Sequence, residues 1–554
     1  MKSRLELNWA GKHDGYALIR DEETGAPVQV LYEEVQPRLL IEAGRYGDEE
    51  ADNILISGEN LYALKTLVKS GYAGQIKCIY IDPPFNTGQA FEHYDDALEH
   101  SLWLTMMRDR IDLLHDLLHE EGAIFIHIDD THLANLIILT DEIFGRENRV
   151  SIVTFKQGSA TGHKAINPGV VNTSNFIVVY AKDKSQWKFN RVFTGRERDK
   201  RYGQFIVNLN QPYDQWQFTT LSKAFAASLG LPEKKAKKVE DYETKLDDFV
   251  LHNANNVVQL ARPDYEGVSA EARKLIDQSK DRPNKIMCLQ REKYSDIYLV
   301  GGQRILFYSD KLKLIDGQYI AGEPLTSIWS DILSNNLHTE GGVDFPKGKK
   351  PEGLVKRILE LATSEGDCTL DCFAGSGTTG AVAHKMNRRW VLVEANKQSS
   401  THILPRLQSV VAGTDNTGIT KAMNWQGGGG FRSYTLGKSL IERDAETGVW
   451  RLSYTNGRLI EAVCLQEGFK LLGRGIRHGV RGRHYAHITD CIVTQPYVDA
   501  LASELDEDEA LTIYCMKAKR KLSLPDGLQL KHIPRDLLPT TNGARGPKRD
   551  RQIA

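Results

Sequence analysis

Asp82, Pro83, Pro84 and Phe85 stand together at the end of an apolar run that begins near Ile76. A carboxylate and an aromatic ring on a stiff turn can accept a hydrogen bond from an amine while the ring stacks on a flat heterocycle. A nucleobase flipped out of a duplex is a substrate of that kind. The same residues also suit a plain strand end, with Asp82 capping a turn and Phe85 filling core. A second group follows almost three hundred residues later, where Asp371, Phe373, Ala374, Gly375, Ser376, Gly377 and Thr378 read as a strand, a glycine turn and a helix start. Exposed amides at such a helix start suit an anionic or carboxylate-bearing ligand. The lysine that a phosphate loop places after its last glycine is missing, which argues against ATP hydrolysis by that route. One helix length further on, a strand over 390–393 runs into Glu394, an acid placed to grip ribose hydroxyls. The pair of signals points to a nucleoside-containing cofactor.

Positioning these groups takes a parallel sheet. The stretch from Ile79 to Gly88 reads as a buried strand that delivers a rigid loop to the carboxyl edge, because two prolines stop both ladder bonding and helix formation. Before it, Ile54, Leu55 and Ile56 form a strand, Ser57-Gly58 a turn, and Asn60 opens a helix carrying Leu61, Leu64, Leu67 and Val68; one helix between two strands is the parallel crossover. Residues 101–119 place Leu102, Met106, Ile111, Leu114 and Leu118 near helical spacing, and Glu120-Glu121-Gly122 ends that helix ahead of a strand over 123–129. Asp129 and Asp130 either position a loop or cap the helix over 133–144, capping being the simpler role. Strands over 151–155 and 176–181 follow, joined by a loop through Gly158, Gly162 and Gly169. A helical face through Leu354, Ile358, Leu359 and Ala362 precedes the glycine turn.

Length allows two to four domains. Charge is balanced, with 71 Lys plus Arg against 73 Asp plus Glu, so any nucleic-acid surface must be local. The clearest local patch is 182–201, with eight basic residues against three acidic ones and Trp187, Phe189 and Phe193 among them, followed by Tyr202, Tyr213 and Trp216. That mixture suits phosphate contact with rings for stacking, and equally a solvated surface over an aromatic core. Lys234, Lys235, Lys237 and Lys238 add a second cluster, and Arg474, Arg477, Arg481 and Arg483 a third. The seven cysteines are scattered without paired CxxC elements, so no metal site is expected and burial is the default. No membrane-length apolar run is present, and a reducing cytoplasmic setting follows. The expected partition is 1–50 as an amino-terminal arm, 51–181 as the catalytic half of one domain, 182–344 as an inserted module, 345–435 as the cofactor half, and 436–554 as a small α/β region for DNA or a partner.

Taken in order, the motifs resemble the beta group of exocyclic-amino DNA methyltransferases, in which the catalytic motif precedes an inserted target-recognition region and the S-adenosylmethionine motif comes last. More closely, the chain is similar to modification subunits of type III restriction-modification systems. The stretches carrying this are Leu55 to Asn60, Tyr80 to Gly88, His100-Ser101-Leu102-Trp103-Leu104, Glu142 to Asn148 and Gly427 to Arg432. The resemblance implies a Rossmann-like α/β fold in circularly permuted motif order, S-adenosyl-L-methionine as cofactor, and adenine N6 in double-stranded DNA as target. It also implies a homodimer, a helicase-nuclease restriction subunit as partner, and a prokaryotic or phage-encoded defence role. Asp82 with the Pro83 carbonyl would hold the amine, Phe85 would stack on the base, Asp371 to Thr378 would shape the cofactor pocket and Glu394 would bind ribose. Lys347 and Glu352 fall in the stretch similar to the family's helix beside the cofactor's methionine part. Two positions depart from the pattern: relatives most often carry tyrosine at Phe85, and His-Glu-Tyr where this chain has Ser174, Asn175 and Phe176. Cytosine-N4 methylation, a DNA-specificity subunit without catalysis, and RNA adenine methylation are the alternatives.

Overall fold

The computed structural model describes residues 5–21, 24–85, 99–158, 169–315, 317–332, 337–345, 348–395, 397–444, 447–453, 457–472, 475–506 and 508–538. The chain forms two compact units, one of Met1–Asn190 with Thr326–Ala554 and the other of Arg191–Leu325.

The larger unit is built on a ten-stranded sheet in the order Ile328–Trp329, Arg149–Lys156, Ser174–Ala181, Leu118–Ile128, Ile76–Ile81, Cys368–Asp371, Arg389–Glu394, Ile54–Ser57, Gly430–Ser439, Arg38–Gly47. The six strands from Leu118–Ile128 to Gly430–Ser439 run parallel. Antiparallel Ser174–Ala181 and Arg38–Gly47 flank them. This is a Rossmann-like α/β sheet in permuted chain order. In Ile76–Ile81 every side chain but that of Lys77 is buried, as expected when helices cover both faces of a parallel sheet. Helices His100–Leu117 and Asp130–Phe144 pack Trp103, Met107, Leu114, Leu136 and Leu139 into one core with Ile79, Ile81, Leu370 and Val393. Asp129 caps the second of these, its Oδ1 accepting from the Thr131 N–H at 3.1 Å, while Asp130 Oδ1 accepts from Asn172 Nδ2 at 2.6 Å.

Strands Ile54–Ser57 and Ile76–Ile81 run parallel in one sheet, as the helix between them predicts, with the two strands of the cofactor half lying between them. Two expectations change. Glu120-Glu121-Gly122 belongs to strand Leu118–Ile128 rather than ending a helix; Gly122 permits this, since a Cβ there would sit 2.7 Å from the Lys77 carbonyl oxygen. The described residues of 1–50 form no arm. Tyr16–Arg20 and Pro27–Leu31 pair as a hairpin that buries Ala17 and Leu18 in the main core, and Arg38–Gly47 is a sheet edge. Alternation of apolar and charged residues hides such faces from an average over the segment.

The inserted unit is narrower than 182–344. Lys182 and Asn190 belong to the larger unit, Lys182 Nζ donating to the His115 carbonyl at 2.6 Å and Asn190 Nδ2 to the carbonyls of Glu360 and Thr363, both at 2.9 Å. On the other side, Ile328–Trp329 pairs with Arg149–Lys156. Within Arg191–Leu325 a six-stranded antiparallel sheet is joined by a three-stranded one and by helices Leu221–Ser228, Tyr242–His252 and Ala270–Asp281. Of the aromatic residues read from the sequence, Tyr202 is buried edge-on against Tyr308, Trp216 is half-buried against Tyr298 and Phe307, and Tyr213 is exposed. Much of the basic patch is paired, Arg196 with Glu323, Arg198 with Glu243 and Asp247, and Arg201 with Asp199.

After residue 435 the chain builds a five-stranded sheet, Lys470–Leu471, Gly479–Arg481, His484–Val493, Ala510–Ala518 and Leu528–His532, with helices Leu459–Glu467 and Gln495–Ala502. Leu440, Val463, Phe469 and Tyr514 share a core with Leu39, so this region packs on the edge of the ten-stranded sheet. Arg477 and Arg483 are paired with Glu509 and Asp508; Arg474 lies outside the described residues. Among the described residues no helix is long and apolar enough to cross a membrane.

Candidate active site

Asp82, Asp371 and Glu394 stand at the carboxyl ends of three parallel strands that are consecutive in the sheet, with the Asp371 strand in the middle. Leu370 is in register with Ile79, Asp371 with Leu392, and Glu394 with Ser57. Ligands of open α/β sheets bind at this edge.

Asp82 follows its strand directly. Its Oδ2 is ion-paired with Lys350 Nζ, and its Oδ1 is buried without a hydrogen-bond partner among the described residues. Burial pushes this carboxyl above the ordinary range and Lys350 pulls it back. The side chain keeps 18% exposure, so the desolvation comes from crevice walls rather than complete enclosure. Pro84's carbonyl is held by Trp103 Nε1 at 2.8 Å. Phe85 lies nearly parallel to the His127 ring, with centroids 5.8 Å apart and planes at 20°. His127 is fully buried between Tyr80 Oη and Asn175 Nδ2, each 3.2 Å from a ring nitrogen, and burial holds it well below its ordinary value and therefore neutral. Asn175, a departure from the family pattern, thus supports the ring behind Phe85. Asn86, Thr87 and Gly88 lie outside the described residues.

The glycine loop is braced by the acids beside it. Asp371 accepts from the Phe373 N–H at 2.9 Å and from Thr379 Oγ1 at 2.6 Å, and Glu394 Oε2 accepts from the Gly375 N–H at 2.7 Å. Burial pushes the Asp371 carboxyl up to about 7. Gly375 and Gly377 have φ of 53° and 76°, the left-handed region open to glycine, and a Cβ on Gly377 would meet Ile403 Cγ2 at 2.9 Å. Ala374 N–H bonds the Val393 carbonyl at 3.2 Å, and Ser376 Oγ lies 3.1 Å from Thr378 Oγ1. Beside the loop, Phe373, Glu394 and Ala395 line a cavity with Asn60, Pro84 and, from the hairpin, Leu18, Ile19 and Arg20.

Two cofactor expectations fare differently. Lys347 lies outside the described residues. Glu352 is fully buried, and its carboxylate is engaged inside the protein: Oε1 by Lys385 at 3.1 Å and Arg406 at 2.8 Å, Oε2 by Lys385 at 2.8 Å and the Ile419 N–H at 3.0 Å. It locks the first turn of helix Glu352–Ala362 to the helix that follows the glycine loop.

Sequence reasoning missed Lys350 and the hairpin. Lys350 carried one signal, its place directly before Pro351, which forces an extended backbone ahead of the helix. The hairpin's docking depends on Arg110, which pairs with Glu59 and donates to Asn60 Oδ1 at 2.6 Å and to the Leu18 carbonyl at 3.2 Å; Asn60 Nδ2 in turn donates to the Cys372 carbonyl at 2.8 Å. Glu59 and Asn60 belong to a motif stretch, but their partners lie too far along the chain to be read from it.

A family model described as DNA methylase, of the N6 and N4 type, matches residues 76–404. The chain belongs to this methylase family. Among curated proteins it is 34% identical to the probable type III restriction-modification enzyme HindVI Mod subunit of Haemophilus influenzae, over 69% of this chain and 53% of that one. It is 26% identical to the EcoP15I Mod subunit of Escherichia coli, over 70% and 63%. The chain therefore spans about half to just under two thirds of the length of these relatives. Among solved structures it resembles M1.HpyAVI in complex with SAM, at 12% identity and a TM-score of 0.32 over 64% of this chain and 98% of that one. It also resembles the cytosine-N4-specific PvuII DNA methyltransferase, at 13% and 0.31 over 69% and 95%. At these scores the likeness adds nothing to the sheet order described above.

Proposed function

We propose that the chain transfers a methyl group from S-adenosyl-L-methionine to N6 of an adenine flipped from double-stranded DNA, as the modification subunit of a type III restriction-modification system. The observation that carries this reading is adjacency: the Asp82–Phe85 loop and the Asp371–Thr378 loop, nearly three hundred residues apart, leave neighbouring parallel strands at the same edge. The residues there fit the cofactor. Left-handed glycines let backbone approach a ligand closely, and Phe373, Glu394 and Ala395 offer an apolar wall with a carboxylate to a nucleoside. When bound, S-adenosylmethionine supplies an electrophilic methyl group.

The chain's own residues do the rest. Asp82 accepts an N–H of the target amine, which orients the nitrogen lone pair toward the cofactor side of the crevice. The Pro83 carbonyl takes the second N–H, while Trp103 keeps the Pro84 carbonyl occupied and the loop rigid. Phe85, backed by His127, stacks on the base and excludes water. No covalent enzyme intermediate is required. The HindVI and EcoP15I relatives are Mod subunits of type III enzymes, which supports the same role here, with homodimerisation and a helicase-nuclease partner as its corollaries.

The test is to incubate the protein with labelled S-adenosylmethionine and, in parallel, unmethylated mixed-sequence duplex DNA or mixed-sequence RNA, then identify the modified nucleoside in wild type and in Asp82→Ala. N6-methyladenine that vanishes in the variant is the expected result. N4-methylcytosine would replace the target base, label in RNA but not DNA would replace the substrate, and binding of both ligands without product would leave a specificity subunit.

A further inference from the structure

Lys350 stands where the proposed reaction needs another group. Its ammonium is ion-paired with Asp82 Oδ2 and lies 5.2 Å from the centroid of the Phe85 ring. Those are two of the three contacts assigned above to the target base, the bond to Asp82 and the face of Phe85. The neighbouring Lys349 points elsewhere, donating to the carbonyls of Leu337 at 2.9 Å and Glu340 at 2.6 Å. The Lys350 backbone is anchored, its carbonyl accepting from Thr378 Oγ1 at 3.3 Å, so the side chain alone has freedom to leave. Among the described residues the other titratable groups facing Asp82 are Tyr80 on its own strand and Asp371 on the next, with His127 behind Phe85; none of these is a second cation.

An ammonium and a stacked base cannot share one face of Phe85. The amine nitrogen also gains positive character as it is methylated, so a cation in contact with Asp82 would oppose the step. We propose that Lys350 is a placeholder for the target amine, filling the Asp82–Phe85 site of the DNA-free protein until the flipped base displaces it. This rests on the function proposed above and makes Lys350 a positioning residue. Two consequences follow for the free protein. The placeholder keeps Asp82 ionised and aimed, and it sets a threshold that a base must exceed to enter.

Single-turnover methyl transfer by wild type, Lys350→Met and Lys350→Arg, measured across pH at limiting and at saturating DNA, tests this. The second-order rate constant reports ionisation of the free protein, and the saturated one that of the complex. In Lys350→Met the acid limb of the second-order constant is expected to move up by about one pH unit, since a charge partner is lost. The limb of the saturated constant should stay in place, because Lys350 has already left the complex. Where Asp82 is ionised, DNA should bind about tenfold more tightly once the competing occupant is gone. Lys350→Arg should keep the wild-type limbs, and Lys350→Gln replaces Lys350→Met should the latter misfold. Limbs that move together would mean that Lys350 stays on Asp82 throughout, and limbs that do not move would mean that it has no such role; either overturns the proposal. Absence of methyl transfer by wild type would instead refute the proposed function, and the placeholder then stands or falls on the gain in DNA affinity alone.

Discussion

Replacing Glu352 by alanine separates a structural role from a cofactor role. The side chain, with Lys385 and Arg406, has no solvent exposure, and Asp415 has 2%. Two carboxylates therefore balance two cations. Asp415 pairs with Lys385 at 2.7 Å; burial would raise its carboxyl, but the hydrogen bonds from Lys385 and Thr417 outweigh this and hold it low. Removing Glu352 leaves that pair intact and strands the Arg406 guanidinium, whose remaining bonds go to neutral oxygens, the Ser376 carbonyl at 3.2 Å and Thr378 Oγ1 at 2.9 Å. Breaking a buried pair from one side costs about 3–5 kcal/mol. At about 2 °C per kcal/mol for a large unit, the melting temperature should fall by about 6–10 °C. Thermal unfolding without ligand, followed by titration of S-adenosylmethionine into folded protein at low temperature, reads both quantities. A variant that melts like wild type but binds cofactor poorly would refute the structural assignment and restore the role expected from sequence.

Other outcomes follow from the site. Phe85→Ala should lower kcat/KM for DNA methylation by about 5- to 150-fold, the equivalent of about 1–3 kcal/mol of base stacking, whereas Phe85→Tyr keeps the ring against His127 and should stay near wild type. Gly377→Ala should weaken S-adenosylmethionine binding about tenfold in a calorimetric titration, because a left-handed φ costs alanine about 1–2 kcal/mol and its Cβ meets Ile403. Asp371 titrates near 7 in the folded chain against an ordinary 3.8, so the folded state holds its proton more tightly and loses stability as pH rises through that interval. Asp371→Asn should flatten the fall in urea midpoint between pH 4 and about 7 relative to wild type; equal slopes would refute the assignment.

Local chemistry made much of this protein legible from its sequence. Two prolines after a buried run must end a strand, so the Asp82 loop could be placed at a sheet edge without coordinates. Glycines 375 and 377 ahead of a helix announced a turn that only they tolerate, and Glu394 followed at one helix length. The order of these signals carried the resemblance to beta-group DNA methyltransferases, and that resemblance implied the permuted fold. Tertiary structure decided which residues meet. Parallel pairing brought Ile76–Ile81 beside Cys368–Asp371, so the two loops face one crevice and Lys350, three positions from the lysine expected there, reaches Asp82. The same packing took Glu352 out of the site, because a buried carboxylate is governed by the cations that surround it, and Lys385 and Arg406 lie on other helices. It turned the first fifty residues from an arm into a hairpin wall and a sheet edge. Charges and strand partners act through space, and separation along the chain carries no information about separation across the sheet.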